Sequence, residues 1–258
     1  MNIAIIGGGF YGCYFAYKLS KKHKITLFEK NHTLFGEAGL YNQYRLHQGF
    51  HYPRSLKTIN QTFKGYIKFK KEFSDFLYFP KNNFYIIHKD SKITFTKYLS
   101  KYNKKFGYKK IDLNKIKNLK NLDQFEGAIN TKEGVILINK LSKFLIRKVK
   151  KSCNVNFNKE IKKIDSNKGL IFDNKNLLKF DRIINTTYTN PNLGLNKKVF
   201  NLKYEVAALL IPNKKIKNIH GITIMDGDFV SLYPRNKNTF SVSSVLYTPV
   251  KKFNKNQD

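Results

Sequence analysis

Tryptophan is absent from the 258 residues, cysteine and methionine occur twice each, and proline six times. Two cysteines, Cys13 and Cys153, are too few for a disulfide scaffold or a metal cluster, and a reduced, cytoplasmic protein is the default they leave. No stretch approaches ~18 uninterrupted apolar residues, so a membrane-spanning helix is not expected. The apolar opening Asn2–Ile6 runs straight into glycines without a basic segment, and so reads as a strand start, not a signal peptide. Acidic residues are scarce as well: 17 Asp+Glu stand against 49 Lys+Arg, a formal net charge of +32. A hydrophobic share of 41% excludes a collagen-like or fully disordered chain and is ample for a core in one large or two small domains.

The charge has a bland origin. Lys, Asn, Ile, Phe and Tyr together make up more than half of the chain, while Ala, Gly, Pro and Arg are few. Those are the residues that an AT-rich genome imposes on any protein. The lysines are spread along the chain, and a Lys-rich stretch such as Lys97–Lys110 reads as a solvated face. Residues that such a background disfavours carry information where they cluster. Four of the fifteen glycines fall within Gly7–Gly12. Three of the six histidines lie between His32 and His51, with Arg45 and Arg54 beside them. The chemistry is therefore sought in the first 55 residues.

Asn2–Ile6 reads as a buried strand, Tyr11–Lys21 as a helix with Phe15, Ala16 and Leu19 at helical spacing, and Ile25–Phe28 as a second buried strand ending at Glu29. From Lys30 to Arg54 neither period holds, and a loop of this length in a compact domain is commonly functional. A long amphipathic helix is expected from Pro53 to Phe76. Further helices are expected at Phe95–Phe106 and Asn139–Lys151. Strands are expected at Phe84–His88, Val155–Phe157, Ile161–Ile164, Leu170–Phe172, Phe180–Asn185, Tyr204–Ile211, Gly221–Met225, Phe229–Tyr233 and Phe240–Tyr247.

Gly7-Gly8-Gly9-Phe10-Tyr11-Gly12 is a G-x-G-x-x-G turn between a strand and a helix, with an acid seventeen residues beyond it. Each part has a physical task. Gly7 permits the tight turn, Gly9 lets backbone approach a pyrophosphate without a Cβ in the way, and Gly12 lets helix pack on strand. The free N–H groups and positive dipole of the helix start then attract phosphates. Glu29 can accept from both ribose hydroxyls and disfavours a 2′-phosphate. The alternative is a glycine turn without a ligand.

The position of this turn at the extreme N-terminus, and the run Asn42-Gln43-Tyr44-Arg45-Leu46-His47-Gln48-Gly49-Phe50-His51-Tyr52-Pro53-Arg54-Ser55, carry a resemblance. The chain resembles the FAD-dependent oxidoreductases of the D-amino-acid oxidase and glycine oxidase superfamily, in particular a bacterial subgroup with an N-Q-x-R-x-H-x-G-[FY]-H-Y-P-R-S run. The likeness continues through Asn139–Ile164, through Phe180–Thr187 and into Met225–Phe229 and Tyr247–Pro249. Where many members have Ala-Thr-Gly, this chain has Thr186-Thr187-Tyr188. Members normally run longer, and their C-terminal segment returns to the flavin, so the chain is expected to be a fragment.

The resemblance implies an α/β (α+β overall) fold: a Rossmann-like FAD-binding domain of discontinuous segments, 1–78 and 135–195, with an inserted antiparallel-sheet substrate domain, 79–134 and 196–258. It implies FAD held by Gly7, Gly9, Phe10, Tyr11, Gly12, Glu29, Lys30, Asn42, Gln43, Arg45 and the backbone at Ile161. It also implies oxidation of a C–H next to an amine or hydroxyl by hydride transfer to flavin. The catalytic candidates are Arg45, His47, His51 and Tyr52. Arg45 is either a stabiliser of negative charge on flavin or substrate, or one half of a structural ion pair. His47 and His51 are each a base, with His47 also a covalent tether, or ordinary hydrogen-bonded histidines. Tyr52 either closes over the ring or packs. Arg54 and Ser55 are expected to begin the helix, and Cys13 to be a small buried side chain. Asp226 and Asp228 alternate along a strand and so are not expected to work as a pair.

Three readings follow. A flavin oxidoreductase acting on an amine, amino acid or hydroxy acid would be yellow and bleached by its substrate, its electron acceptor being open. A truncated or degenerate flavin-fold protein would bind FAD weakly without bleaching. A basic nucleic-acid-binding protein would bind oligonucleotides with steep salt dependence. The first is the expected one.

Overall fold

The computed structural model describes residues 1–253 except 174–175, 214–215, 217–218 and 228–229. The chain divides into two compact units, Met1–Asn42 with Ile138–Lys203 and Gln43–Leu137 with Tyr204–Asp258.

In the first unit, the two central strands of a parallel sheet, Asn2–Ile6 and Lys24–Phe28, are buried along nearly their whole length, as expected where both faces are covered. Its strand order is Arg182–Asn185, Asn2–Ile6, Lys24–Phe28, Asn154–Asn156, parallel throughout. Helix Phe10–Leu19 connects the first two, parallel strands, and helix Ile138–Ser152 packs beside it, burying Leu141, Leu145 and Val149. A three-stranded antiparallel sheet, Lys163–Asp165, Leu170–Asp173 and Asn176–Lys179, adds Ile171 to the core that Ala4, Ile6, Phe28, Ile161 and Phe180 build. This is the Rossmann-like half that the glycine turn predicted.

The second unit is centred on a six-stranded sheet in the order Phe240–Ser244, Val230–Pro234, Gly221–Met225, Asn83–His88, Phe125–Asn130, Lys109–Ile111. The sheet is antiparallel, as expected, except where Gly221–Met225 runs parallel to Asn83–His88. A small antiparallel sheet joins Arg45–Leu46, Gly134–Ile136 and Leu77–Tyr78. Helix Leu56–Glu72 starts at Ser55, whose hydroxyl accepts from the Thr58 N–H as an N-cap.

Several expectations shift. The long helix ends at Glu72, and Phe95–Phe106 divides into a short helix, Phe95–Leu99, and a 3₁₀ turn at Lys104–Phe106. The strand expected over Tyr204–Ile211 closes at Ala207, and that over Phe240–Tyr247 at Ser244. Helix Leu56–Glu72, expected with the nucleotide-binding segment 1–78, packs instead within the second unit. Ile59 shares a core with Phe50, Tyr85 and Met225, and the Tyr66 hydroxyl donates to Lys132 O at 2.9 Å. Periodicity reveals which face a helix buries but not the element that covers it.

Candidate active site

The glycine turn separates into positions with different duties. Gly7 has φ +98°, and a Cβ there would meet Thr186 O at 2.8 Å. A Cβ on Gly12 would collide with Gly7 O. Both glycines are required by the protein itself. A Cβ on Gly9 would meet nothing within 4 Å. Gly9 is also the N-cap of helix Phe10–Leu19 and offers no side chain to its first turn, so the helix start faces open space. Phe10 and Tyr11 follow in that turn, Tyr11 exposed, with their rings edge to face at 5.5 Å.

Glu29 is buried, and its carboxylate accepts from Gly8 N at 2.6 Å and Asn31 N at 2.9 Å. It is thus tied to the turn it was paired with on sequence spacing. Each oxygen retains a second lone pair. Lys30 lies on the surface against Glu37 at 3.3 Å, and Asn42 donates to Ala38 O at 3.2 Å. The side chain of Ile161 belongs to the core of this unit. Cys13 donates to Gly8 O and is buried, its thiol pushed up to about 12 by that burial and then by Glu29 and Cys153.

Strand Arg182–Asn185 returns against Asn2–Ile6 and delivers Thr186, whose hydroxyl donates to Ile6 O or Gly7 O (2.8 and 2.9 Å). Tyr188, where the resemblance expects glycine, has φ +61° and is exposed. The backbone thus adopts the left-handed conformation that glycine favours although the residue there is tyrosine.

The second unit gathers Gln43, Arg45, His47, His51 and Tyr52. The Arg45 side chain is 1% exposed, and its Nε donates to Glu133 Oε2 at 2.7 Å. Nη1 donates to Thr223 Oγ1 (2.9 Å) and Ser231 Oγ (3.3 Å). The guanidinium lies between the rings of Tyr85 (4.9 Å) and Tyr233 (4.2 Å). Burial works against its charge, but Tyr85 and Glu133 outweigh burial and hold its pKa above the ordinary value. The ion pair and the two hydroxyls account for Nε and Nη1 and leave Nη2 buried without a hydrogen-bond partner.

His47, His51 and Tyr52 form an aromatic cluster with ring centroids 5.2 to 5.6 Å apart. Burial first, and the Arg45 charge second, push the imidazoles of His47 and His51 down to about 3, so both are neutral at pH 7. Burial raises the Tyr52 phenol, with Glu133 adding to it. A cavity of about 270 Å³ opens in this unit, lined by Gln43, His51, Ser231, Ser243, Thr248 and Pro249 among others. Gln43 crosses it to donate to Ser243 Oγ at 3.0 Å. A larger cleft of about 470 Å³ around Phe95, Lys110 and Glu126 contains none of the candidate residues. Arg54 pairs with the buried Asp226 at 3.1 Å, and Asp228 lies outside the described residues.

Sequence reasoning missed Glu133, Tyr85, Tyr233, Thr223 and Ser231. Only Glu133 had a signal available: an acid in a strongly basic chain is as informative as a clustered glycine. Its partner Arg45 lies 88 residues away, which no local pattern spans.

The family model for FAD-dependent oxidoreductases of the DAO type matches residues 2–252. An FAD-dependent monooxygenase, FPY4, of Fusarium mangiferae is 27% identical over 98% of the chain, which spans 66% of that relative's length. Glycine oxidase from Geobacillus kaustophilus superposes with a TM-score of 0.72 at 13% identity, covering 94% of this chain and 70% of that one. L-α-glycerophosphate oxidase from Mycoplasma pneumoniae, solved with FAD bound, gives 0.66 at 18% identity, with 97% and 72% covered. These two similarities concern the fold. With its glycine turn, its returning strand and a family match across nearly all of its residues, the chain belongs to the DAO family of FAD-dependent oxidoreductases.

Proposed function

We propose that the protein is a flavoenzyme that oxidises a C–H bond next to an amine or hydroxyl of a small molecule by transferring hydride to FAD. The observation that carries this reading is the open space over Gly9 beside the Glu29 carboxylate, in a chain of this family.

The residues fit the cofactor. The helix start behind Gly9 suits a pyrophosphate, and the second lone pairs of Glu29 suit the adenosine ribose hydroxyls. Phe10, Tyr11 and Lys30 flank that path, with Asn42 and the backbone at Ile161 as further contacts in the same unit. When bound, the flavin accepts a hydride. What the chain supplies is orientation and proton handling. The 270 Å³ cavity offers Gln43, Ser231, Ser243 and Thr248 as hydrogen-bonding partners for a small polar substrate. His51, which lines the cavity and is neutral at pH 7, is able to accept a proton there. Tyr52, its pKa raised, keeps its own.

Amine and alcohol substrates are both kept, because the similar folds include an oxidase named for glycine and one named for glycerophosphate. The names of the curated relatives favour a second reading, monooxygenation, in which one oxygen atom of O₂ enters the product. No helix among the described residues is long and apolar enough to cross a membrane, and both cysteines are free, which is in keeping with a reducing, cytoplasmic setting.

The test is an absorbance spectrum from roughly 300 to 550 nm before and after acid precipitation, with the isoalloxazine as chromophore. Flavin bands released to the supernatant are expected. Bands retained in the pellet would mean a covalent tether, for which His47 is the candidate. No bands after FAD addition would overturn the reading. Hydrogen peroxide formation against incorporation of labelled oxygen then separates oxidase from monooxygenase.

A further inference from the structure

Hydroxyls recur at matching positions on three neighbouring strands of the six-stranded sheet. Thr223 is the register partner of Ser231, and Ser231 is the partner of Ser243. Cross-strand partners share a face, so these side chains form a row across Gly221–Met225, Val230–Pro234 and Phe240–Ser244. The inner end of the row is held by Arg45, whose Nη1 donates to Thr223 Oγ1 at 2.9 Å and to Ser231 Oγ at 3.3 Å. At the outer end Gln43 Nε2 donates to Ser243 Oγ at 3.0 Å. Ser231 and Ser243 line the cavity of about 270 Å³, together with Ser244 and Thr248.

The protein uses these hydroxyls as acceptors. Besides the bonds from Arg45 and Gln43, Ser244 Oγ accepts from Leu246 N at 3.3 Å, and Thr248 Oγ1 accepts from Ser244 N at 2.8 Å. A hydroxyl whose oxygen accepts still has its proton to donate, so Ser243, Ser244 and Thr248 are donors towards a ligand. No Asp or Glu stands among the described residues that line the cavity. His51, which does line it, registers the local field. Burial first and the Arg45 charge second keep its imidazole neutral, and Glu133 does not offset them. An ammonium beside His51 would meet the same burial and the same positive charge. An oxygen with free lone pairs would meet donors.

We propose that Ser231, Ser243, Ser244 and Thr248 form a substrate subsite that takes an alcohol or carboxylate oxygen and rejects an ammonium. This rests on the oxidoreductase reading above and narrows it: a simple amine is not a substrate of this site, whereas an alcohol, or an acid that places its oxygen here, is. Ser243 and Thr248 are the specificity-determining residues, because each is a donor to the ligand oxygen. Val245 and Pro249, also in the lining, give the carbon skeleton an apolar wall.

The test is a saturation-transfer NMR titration of the purified protein at pH 7 with benzyl alcohol, benzoate and benzylamine, probes that share a ring and differ in the polar group. Benzyl alcohol or benzoate is expected to bind at least about tenfold more tightly than benzylamine. Which of the two oxygen probes binds better separates an alcohol site from a carboxylate site. Benzylamine binding as tightly as both overturns the proposal, as does the absence of binding by either oxygen probe at about 10 mM. In Ser243→Ala and in Thr248→Val the better oxygen probe is expected to bind about three- to tenfold more weakly, the loss of one hydrogen bond. Unchanged binding in both variants also overturns it. Should either variant not fold, the wild-type comparison of the probes decides. The titration reads binding and no redox signal, so missing flavin bands defeat the oxidoreductase reading, while a preference for benzylamine defeats the subsite.

Discussion

The glycine turn of the first unit and the Arg45–Glu133 network of the second are opposite solutions to placing polar groups in a protein. The turn removes side chains. With no Cβ at Gly9 and no capping side chain, backbone donors and a helix dipole are left facing open space. The network gathers side chains around a buried charge: Arg45 meets a carboxylate, two hydroxyls and two aromatic faces, and only Nη2 is left without a hydrogen-bond partner. An open backbone site invites a ligand, whereas a closed side-chain site holds other residues in place.

Breaking the closed site has the largest expected effect. Glu133→Ala leaves a buried guanidinium without its counter-charge, and a loss of about 4 kcal/mol is expected in denaturant unfolding. An Arg45→Met/Glu133→Leu pair is expected to recover most of it, since an apolar pair of similar volume carries no desolvation cost. Gly12→Ala comes next. Its Cβ meets the Gly7 carbonyl, and overpacking of about 3 kcal/mol is expected whether or not FAD is present.

Gly9→Val sharpens the comparison, because a Cβ at Gly9 meets no protein atom within 4 Å. The apoprotein is expected to melt within a few degrees of wild type, and FAD content to fall at least about tenfold, a difference of ~1.4 kcal/mol. Undiminished flavin content would remove Gly9 from the site.

The histidines offer a pH handle. Folded His47 and His51 refuse a proton down to about 3, whereas an unfolded imidazole accepts one near 6.5. Acid therefore favours the unfolded chain, and stability should fall progressively as pH drops from 6.5 towards 3. Thermal melts across that range are expected to show a shallower decline in His47→Gln. The smallest effect is a gain. Tyr188→Gly relieves a left-handed tyrosine and is expected to add about 1 kcal/mol, read as a raised melting temperature.

Legibility followed the distance between partners along the chain. The opening strand, turn, helix and second strand lie within thirty residues, and Glu29 was paired with the turn from spacing alone. The loop Gln43–Ser55 stood out because its histidines and arginines are rare in this background. What each residue does there was not legible. Arg45 stayed open between a ligand role and a structural ion pair because nothing near it in the sequence pairs with it. Helix Leu56–Glu72 showed a clear apolar face but not the unit it belongs to.

By itself the sequence determined the parallel βαβ start, the turn and packing roles of Gly7 and Gly12, and the family. These depend on backbone geometry and on contacts between near neighbours, which composition and spacing record. Tertiary structure alone decided that Arg45 is buried and that Glu133 is the acid opposite it. Burial makes those charges strong, and burial arises only when strands 45–46, 83–88, 134–136, 221–225 and 230–234 fold into one unit.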